Sequence, residues 1–188
     1  MRTRLVEVDD APALMAIYNP EVMQGDVTFD LVPRTLADQE AWIREHRSAH
    51  PCLVAINEDD EAGEVGAFGH RIIGYALVSP FRPRPAYLTT VENSIYVHRD
   101  ARGRGVGEVL LADLIRTAAE SGFHSLIARI VSDNAGSIRL HEKLGFRLVG
   151  TEIEVGRKHG QWLDVVEYQF VIGRDQLPGD RPAGTPES

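Results

Sequence analysis

The chain has 188 residues, 43% of them hydrophobic and 26% charged, with a formal net charge of -8 and one cysteine. That composition is globular, the length suits one domain of ordinary size, and the acidic excess speaks against nucleic acid as a partner. No apolar run is long enough to cross a bilayer, the opening MRTRLVEVDD lacks an apolar signal-peptide core, and Cys52 alone can neither close an intrachain disulfide nor build a metal site, so the expected setting is a reducing cytoplasm with no membrane partner.

In chain order, residues 4–8 (RLVEV) alternate as a strand. Asp9, Asp10 and Pro12 then open a helix that is expected to stop at Pro20. Residues 27–31 (VTFDL) are β-branched and aromatic and predict a short strand. Thr35 to Asp38 start a second helix, which ends before Pro51. CLVAI (52–56) and RIIGYALVS (71–79) are strands, separated by an acidic, glycine-rich surface loop or hairpin over 57–70. FRPRPA (81–86) is a stiff loop that cannot pair inside a sheet, and YLTTVENSIYV (87–97) is a long strand. The period then changes: apolar residues at 106, 109, 110, 114 and 118 mark a helix face that Gly122 ends. FHSLIARIV (123–131) is a strand, and Asp133 or Asn134 caps a short helix ended by Gly145. Residues 146–156 and 161–172 flank the turn RKHG as a closing hairpin. The Pro- and Gly-rich stretch 173–188 is expected to be a disordered tail, leaving 1–172 as the domain.

The segment RGRGVG, Arg102 to Gly107, sits between a strand and a helix. At a helix N-terminus the first N–H groups lack intrahelical partners and the dipole is positive. Glycines there let the backbone approach an anion closely, which makes a phosphate cradle. No Lys-Ser/Thr follows Gly107, so this is not a Walker loop. The glycine spacing does not give the dinucleotide fingerprint G-x-G-x-x-G either. An arginine–glycine repeat for RNA would recur in several copies. The loop alone also reads as a plain turn with solvated arginines.

Its context narrows this. R-x-x-G-x-G follows the strand SIYV, and DNAGSIRLHEKLGF (133–146) and a terminal hairpin come after it. This pattern resembles the GNAT superfamily of acetyl-CoA-dependent N-acyltransferases. IYNPEV…VTFD, TVENSIYVHRDARGRGVG, SDNAGSIRLHEKLGF and KHGQWLDVVEYQ are similar to its phosphinothricin acetyltransferase branch, over about residues 3–172. The resemblance implies an α/β (α+β) domain of GNAT fold: a mixed, mostly antiparallel sheet, splayed at the cofactor strand and flanked by helices. It also implies a homodimer. The activity implied is acetyl transfer from acetyl-CoA to a small amine or amino acid of phosphinothricin or methionine sulfoximine type, directly, in a ternary complex.

By the same resemblance, the backbone of Arg102, Gly103, Arg104, Gly105, Val106 and Gly107 holds the coenzyme A pyrophosphate, and Arg102 or Arg104 adds charge. Ile95, Tyr96 and Val97 pair with the pantetheine arm, and the Val97 N–H faces the thioester oxygen. Asn134 and Ser137 touch the cofactor. Glu92 takes the proton of the amine; read without the family, it is a solvated strand glutamate. His141 stands where many GNAT enzymes carry a tyrosine that protonates the departing thiolate; the alternative is a hydrogen-bonded core histidine. On the substrate side the expected residues are Thr28, Phe29, Arg82, Arg84, Tyr87, Lys158 and Trp162, with surface or core roles as the alternatives.

Cys52, inside CLVAI, reads as core. His46 and His50 have metal-ligand spacing on a highly charged helix with no third ligand, so a solvated face is expected and no metal. Three features depart from the branch: the long loop 57–70, the proline-rich FRPRPA, and Asp30 in place of a longer acid. A protein N-terminal or lysine acetyltransferase and a non-catalytic acyl-CoA sensor are the rival functions; the sensor has no need of Glu92.

Overall fold

A computed structural model describes residues 1–46, 50–57, 64–67 and 71–174. Eight strands and four α-helices alternate as β1 (Arg2–Leu5), α1 (Ala11–Gln24), α2 (Leu36–His46), β2 (Cys52–Ile56), β3 (Glu64–Val65), β4 (Arg71–Pro80), β5 (Thr90–Val97), α3 (Val106–Glu120), β6 (Ser125–Val131), α4 (Ala135–Lys143), β7 (Arg147–Lys158) and β8 (Gln161–Val171) among the described residues. Seven strands form one sheet in the order β1-β2-β4-β5-β6-β8-β7, and the short β3 attaches to β4. The β5–β6 pair is parallel and the other pairs are antiparallel. This is the mixed, mostly antiparallel sheet expected.

One face of the sheet packs on α3. Leu110, Leu111, Leu114, Ile115 and Ala118 of that helix are fully buried against Val78, Val91, Leu126 and Phe170. The other face packs on α1 and α2 through Leu14, Ile17, Tyr18 and Ile43, which meet Val54, Ile72 and Tyr75. Cys52 belongs to this second core at 1% exposure, and burial pushes its thiol pKa up. Side chains along β5 alternate between the two cores. Val91, Ile95 and Val97 lie on the α3 side, and Tyr96 lies on the α1 side.

The sheet parts at one place. β4 and β5 stay paired from Pro80↔Val91 to Gly74↔Val97. β5 and β6 pair only from Thr90↔Ser125 to Asn93↔Ala128. Beyond Ala128, β6 remains bound to β8 as far as Val131↔Val165. The two strands therefore diverge after Asn93 and Ala128, each held by its outer neighbour. This wedge is the expected splay.

Several expected boundaries move. The first strand is Arg2–Leu5 rather than 4–8, and Val8–Asp10 form a 3-10 turn. Asp10 does not cap α1 with its side chain; it turns inward to Arg4. α1 continues through Pro20 to Gln24, because Pro20 removes one backbone bond while Glu21 and Val22 bury and hold the last turn. Residues 27–31 form no strand. Their β propensity is overridden: Thr28 bonds the Tyr18 hydroxyl at 2.8 Å, and a Cβ at Gly156 would fall 2.2 Å from the Phe29 ring. Residues 85–87 are a 3-10 turn, so the long strand starts at Thr90. Thr35 and Asp38 exchange capping hydrogen bonds at the head of α2. The RKHG turn is a two-residue hairpin with positive φ at His159 (48°) and Gly160 (82°). Most of the 57–70 loop, the last residues of the second predicted helix (47–49) and the tail from 175 lie outside the described residues.

Candidate active site where two strands part

The wedge between β5 and β6 opens into a cleft of about 370 Å³. Its walls are residues 93–97 of β5, residues 128–131 of β6, the loop before α3, and the first turns of α3 and α4. Peptide groups along a strand face alternate sides. The His98 N–H donates to the Ile73 carbonyl across on β4. Val97 and Ile95 therefore turn their peptide groups toward the wedge, and the Val97 carbonyl accepts from Arg102 Nε at 3.3 Å.

The glycine loop closes one end. Gly103 and Gly105 have φ of +75° and +79°, and no atom lies within 4 Å of where their Cβ would be. Gly107 is close against Leu140 of α4: its Cβ would meet that side chain at 3.1 Å. Open space on one side and helix contact on the other leave the head of α3 exposed to a ligand. Gly105→Val is expected to cost about 1–2 kcal/mol in the left-handed region. The predicted readout is a roughly tenfold weaker affinity for acetyl-CoA by calorimetry, with the fold intact.

One side chain at the cleft has a duty the sequence did not suggest. Arg102 is tied to the buried carboxylate of Glu21 at 2.9 Å, and Arg99 reaches the same carboxylate at 3.1 Å. These pairs pin the glycine loop to the end of α1. Arg104, unlike its neighbours in the loop, does not line the cleft. Asn134 caps α4 by accepting from the Ser137 N–H at 3.1 Å, and both residues line the cleft.

His141 lies at the closed end, 2% exposed. Its Nδ1 donates to the Ser137 carbonyl at 2.8 Å, so its Nε2 accepts from the Asn93 amide at 2.9 Å. Burial lowers its pKa to about 4. The ring is therefore neutral, with both nitrogens engaged, at the wall of the cleft. Asn93, 5% exposed, keeps its own carbonyl oxygen as a buried acceptor with no protein donor at the cleft wall.

Glu92 faces the other side of the sheet and does not line the cleft itself. It is half-buried, and burial raises its pKa. Arg129 opposes that rise, and Glu167 and Glu152 add to it. Ser94 and Tyr96 follow Glu92 on the same face, so the parting of the strands lies between Glu92 and the cleft.

The expected substrate residues are not gathered at the cleft. Thr28 and Phe29 lie over the end of the β7–β8 hairpin. Lys158 is 3% exposed, and its ammonium is bound to the carbonyls of Glu21 (3.2 Å) and Thr28 (2.7 Å), with its pKa lowered by burial. It is a clamp on this segment, not a cation presented to a ligand. Trp162 is exposed under Arg157. Arg82 is exposed and stacks on Phe81 and Tyr87, and Arg84 is exposed at the start of a 3-10 turn. His46 stacks on Trp42 and His50 on Phe123, so the two rings pack on different neighbours.

The acetyltransferase (GNAT) family model matches residues 13–146. The chain belongs to the GNAT family of acetyltransferases. Its sheet, splay and loop are the GNAT fold, as the sequence resemblance implied. An L-methionine sulfoximine/L-methionine sulfone acetyltransferase of Pseudomonas paraeruginosa is 41% identical over 164 residues, covering 87% of this chain and 90% of that protein. Among solved structures, a GNAT phosphinothricin acetyltransferase from Sinorhizobium meliloti in complex with acetyl-CoA superposes with a TM-score of 0.80 at 34% identity, covering 98% and 95% of the two chains. A ribosomal-protein-alanine N-acetyltransferase from Brucella melitensis has a TM-score of 0.83 at 37% identity, covering 92% and 100%. This GNAT protein is an N-acetyltransferase with acetyl-CoA as co-substrate, similar to the phosphinothricin branch. The cleft suits that molecule: a bare helix N-terminus at one end and an unpaired strand edge along one wall.

Proposed function

We propose that this enzyme acetylates the amino group of a small amino-acid-like substrate, with methionine sulfoximine and phosphinothricin as model acceptors, by direct attack in a ternary complex. One observation carries the reading. Glu92 and Val97 lie on the same strand and flank the point where β5 and β6 part. Acetyl-CoA supplies an activated acyl group. The glycine loop and the head of α3 are the residues to hold its phosphates, and the cleft-facing peptide groups of Ile95 and Val97 are those to hold its arm. Val97 lies five residues beyond Glu92, about 16 Å along an extended strand, so the cleft-facing N–H nearer the parting, that of Ile95, is the one to face the carbonyl as charge develops; such a donor is worth about 2.7–4 kcal/mol in acyl transfer.

Glu92 acts as the base: it takes a proton from the amine, the C–N bond forms as the C–S bond breaks, and coenzyme A leaves as its thiolate and takes up a proton from water. An amine must lose a proton to attack, and a half-buried carboxylate with a raised pKa suits that task. Cys52, the one cysteine in the chain, is buried with a raised thiol pKa and cannot carry the acyl group. This supports direct transfer, for which initial-rate plots against both substrates are expected to intersect. Parallel lines would indicate an acyl-enzyme and overturn the ternary mechanism. We propose in addition that residues 1–172 act as one cytoplasmic catalytic domain and that two copies assemble as a dimer, as the family likeness suggests.

The likeness to the ribosomal-protein-alanine enzyme supports a second reading, with a protein N-terminus as acceptor. A short peptide with N-terminal alanine, competed against free amino acids, separates the two.

A further inference from the structure

An amino-acid acceptor needs a cation for its carboxylate beside the base that takes its proton. Arg82, Arg84 and Lys158 were the expected cations. Lys158 is spent on two backbone carbonyls, and Arg82 stacks on Phe81 and Tyr87 of its own loop. Arg129 is differently placed. It is the first residue of β6 beyond the last pair with β5, so it stands where the wedge begins to open, and it lines the cleft. Its register partner on β8 is Glu167, and its guanidinium pairs with Glu152 of β7. Its side chain is 32% exposed, so a ligand can reach it.

Side-chain parity puts Arg129 on the face that Glu92 occupies. Leu126, Ala128 and Ile130 of β6 are buried in the α3 core, so Ile127 and Arg129 point the other way. Glu92 is the register partner of Ile127, one step along the same face. The fields of Arg129 and Glu92 act on each other's titration. A carboxylate base and a guanidinium thus stand side by side at the opening. An α-amino acid carries an ammonium and a carboxylate on one carbon, so it can present one charge to each member of such a pair.

We propose that Arg129 is a specificity-determining residue that binds the carboxylate of the acceptor while Glu92 engages its amino group. This rests on the amino-acid reading above. Glu152 holds the guanidinium in place when no acceptor is bound and yields part of it to the incoming carboxylate. Glu92, Glu152 and Glu167 outnumber the one guanidinium, so the patch favours a zwitterion over a ligand that is purely anionic.

The test compares two acceptors: L-methionine sulfoximine and the matched amine that lacks the carboxylate. For Arg129→Gln, the KM of the amino acid should rise roughly 10- to 100-fold, the scale of a lost charge-assisted pair. The KM of the amine should stay within about twofold. Arg129→Lys should recover part of the loss, since it restores charge but not the fork. Glu152→Gln should lower the KM of the amino acid. Acetyl-CoA binding by calorimetry reports that each variant is folded. Equal effects on both acceptors, or none on the amino acid, would overturn the assignment. If the unaltered enzyme acetylates peptides but neither small acceptor, the amino-acid reading fails first and this one with it.

Discussion

Glu92→Gln is expected to lower kcat/KM by about 10²- to 10⁴-fold, the range for loss of a positioned base. Affinity for acetyl-CoA should be unchanged, because Glu92 faces away from the cleft that the glycine loop closes. The substitution keeps the size of the side chain and removes only its capacity to take a proton. The unaltered enzyme should also lose activity as pH falls through the pKa of Glu92. Burial raises that pKa, with Glu167 and Glu152 adding to the rise and Arg129 opposing it. The acidic limb of the kcat/KM profile is therefore expected above the ordinary glutamate value of about 4.3. That limb should vanish in the glutamine variant. A variant that keeps both full rate and the same limb would remove Glu92 from the mechanism. A full rate would also place the proton transfer on solvent or on the substrate's own free-base fraction.

Asp10→Ala should cost about 3–5 kcal/mol of stability, the scale for breaking one half of a buried ion pair. Asp10 is fully buried and takes both terminal nitrogens of Arg4, at 2.7 and 2.8 Å. It also accepts the backbone N–H groups of Glu7 at 2.8 Å and Ala67 at 2.7 Å. Removing it takes the buried acceptor from the Glu7 and Ala67 N–H groups and the carboxylate from the Arg4 guanidinium. Burial pushes the Asp10 carboxyl pKa up, but the Arg4 and backbone bonds outweigh burial and hold it below its usual value. A depressed folded pKa gives stability that is present above the unfolded value of about 3.9. That stability is lost as pH falls through the folded value. Urea melts at neutral pH should show the full difference between the two proteins. Melts in acid should show it shrinking. Because Asp10 does not line the cleft, the folded fraction should still bind acetyl-CoA normally.

The parts of this protein that were legible in its sequence are those fixed by local rules. RGRGVG announces a glycine loop at a helix N-terminus, and Gly103 and Gly105 there take the positive φ that glycine permits. Asn134 announces a cap and caps. The apolar stripe from Val106 to Ala118 predicts its helix, although Leu111 and Ile115 are buried as well. What was not legible depends on partners far along the chain. Pro20 reads as a stop, yet Glu21 just after it is anchored by Arg99 and Arg102, some 80 residues away in sequence order, and by packing under the loop. Residues 27–31 look like a strand, but Tyr18 and Gly156 claim Thr28 and Phe29 first. Lys158 looks like a surface cation in a hairpin turn; its carbonyl partners lie 137 and 130 residues earlier. Arg129 reads as one more strand residue until the register sets it beside Glu92 and opposite Glu167.

The picture of catalysis rests on a division of labour across one strand. In the proposed mechanism β5 offers its unpaired edge to the cofactor cleft on one side and Glu92 to the acceptor on the other face. The wedge between Asn93 and Ala128 joins them. His141 serves this arrangement from behind. It fixes the Asn93 amide at the apex of the wedge and is held neutral by burial.

The most direct test is thiol release from acetyl-CoA, followed against L-methionine sulfoximine, other free L-amino acids and a short peptide, with mass spectrometry of the product. Acceptor-dependent release of coenzyme A, with the acetyl group on the α-nitrogen of a free amino acid, is the predicted result. Tight acetyl-CoA binding with no acceleration by any amino acid would contradict it.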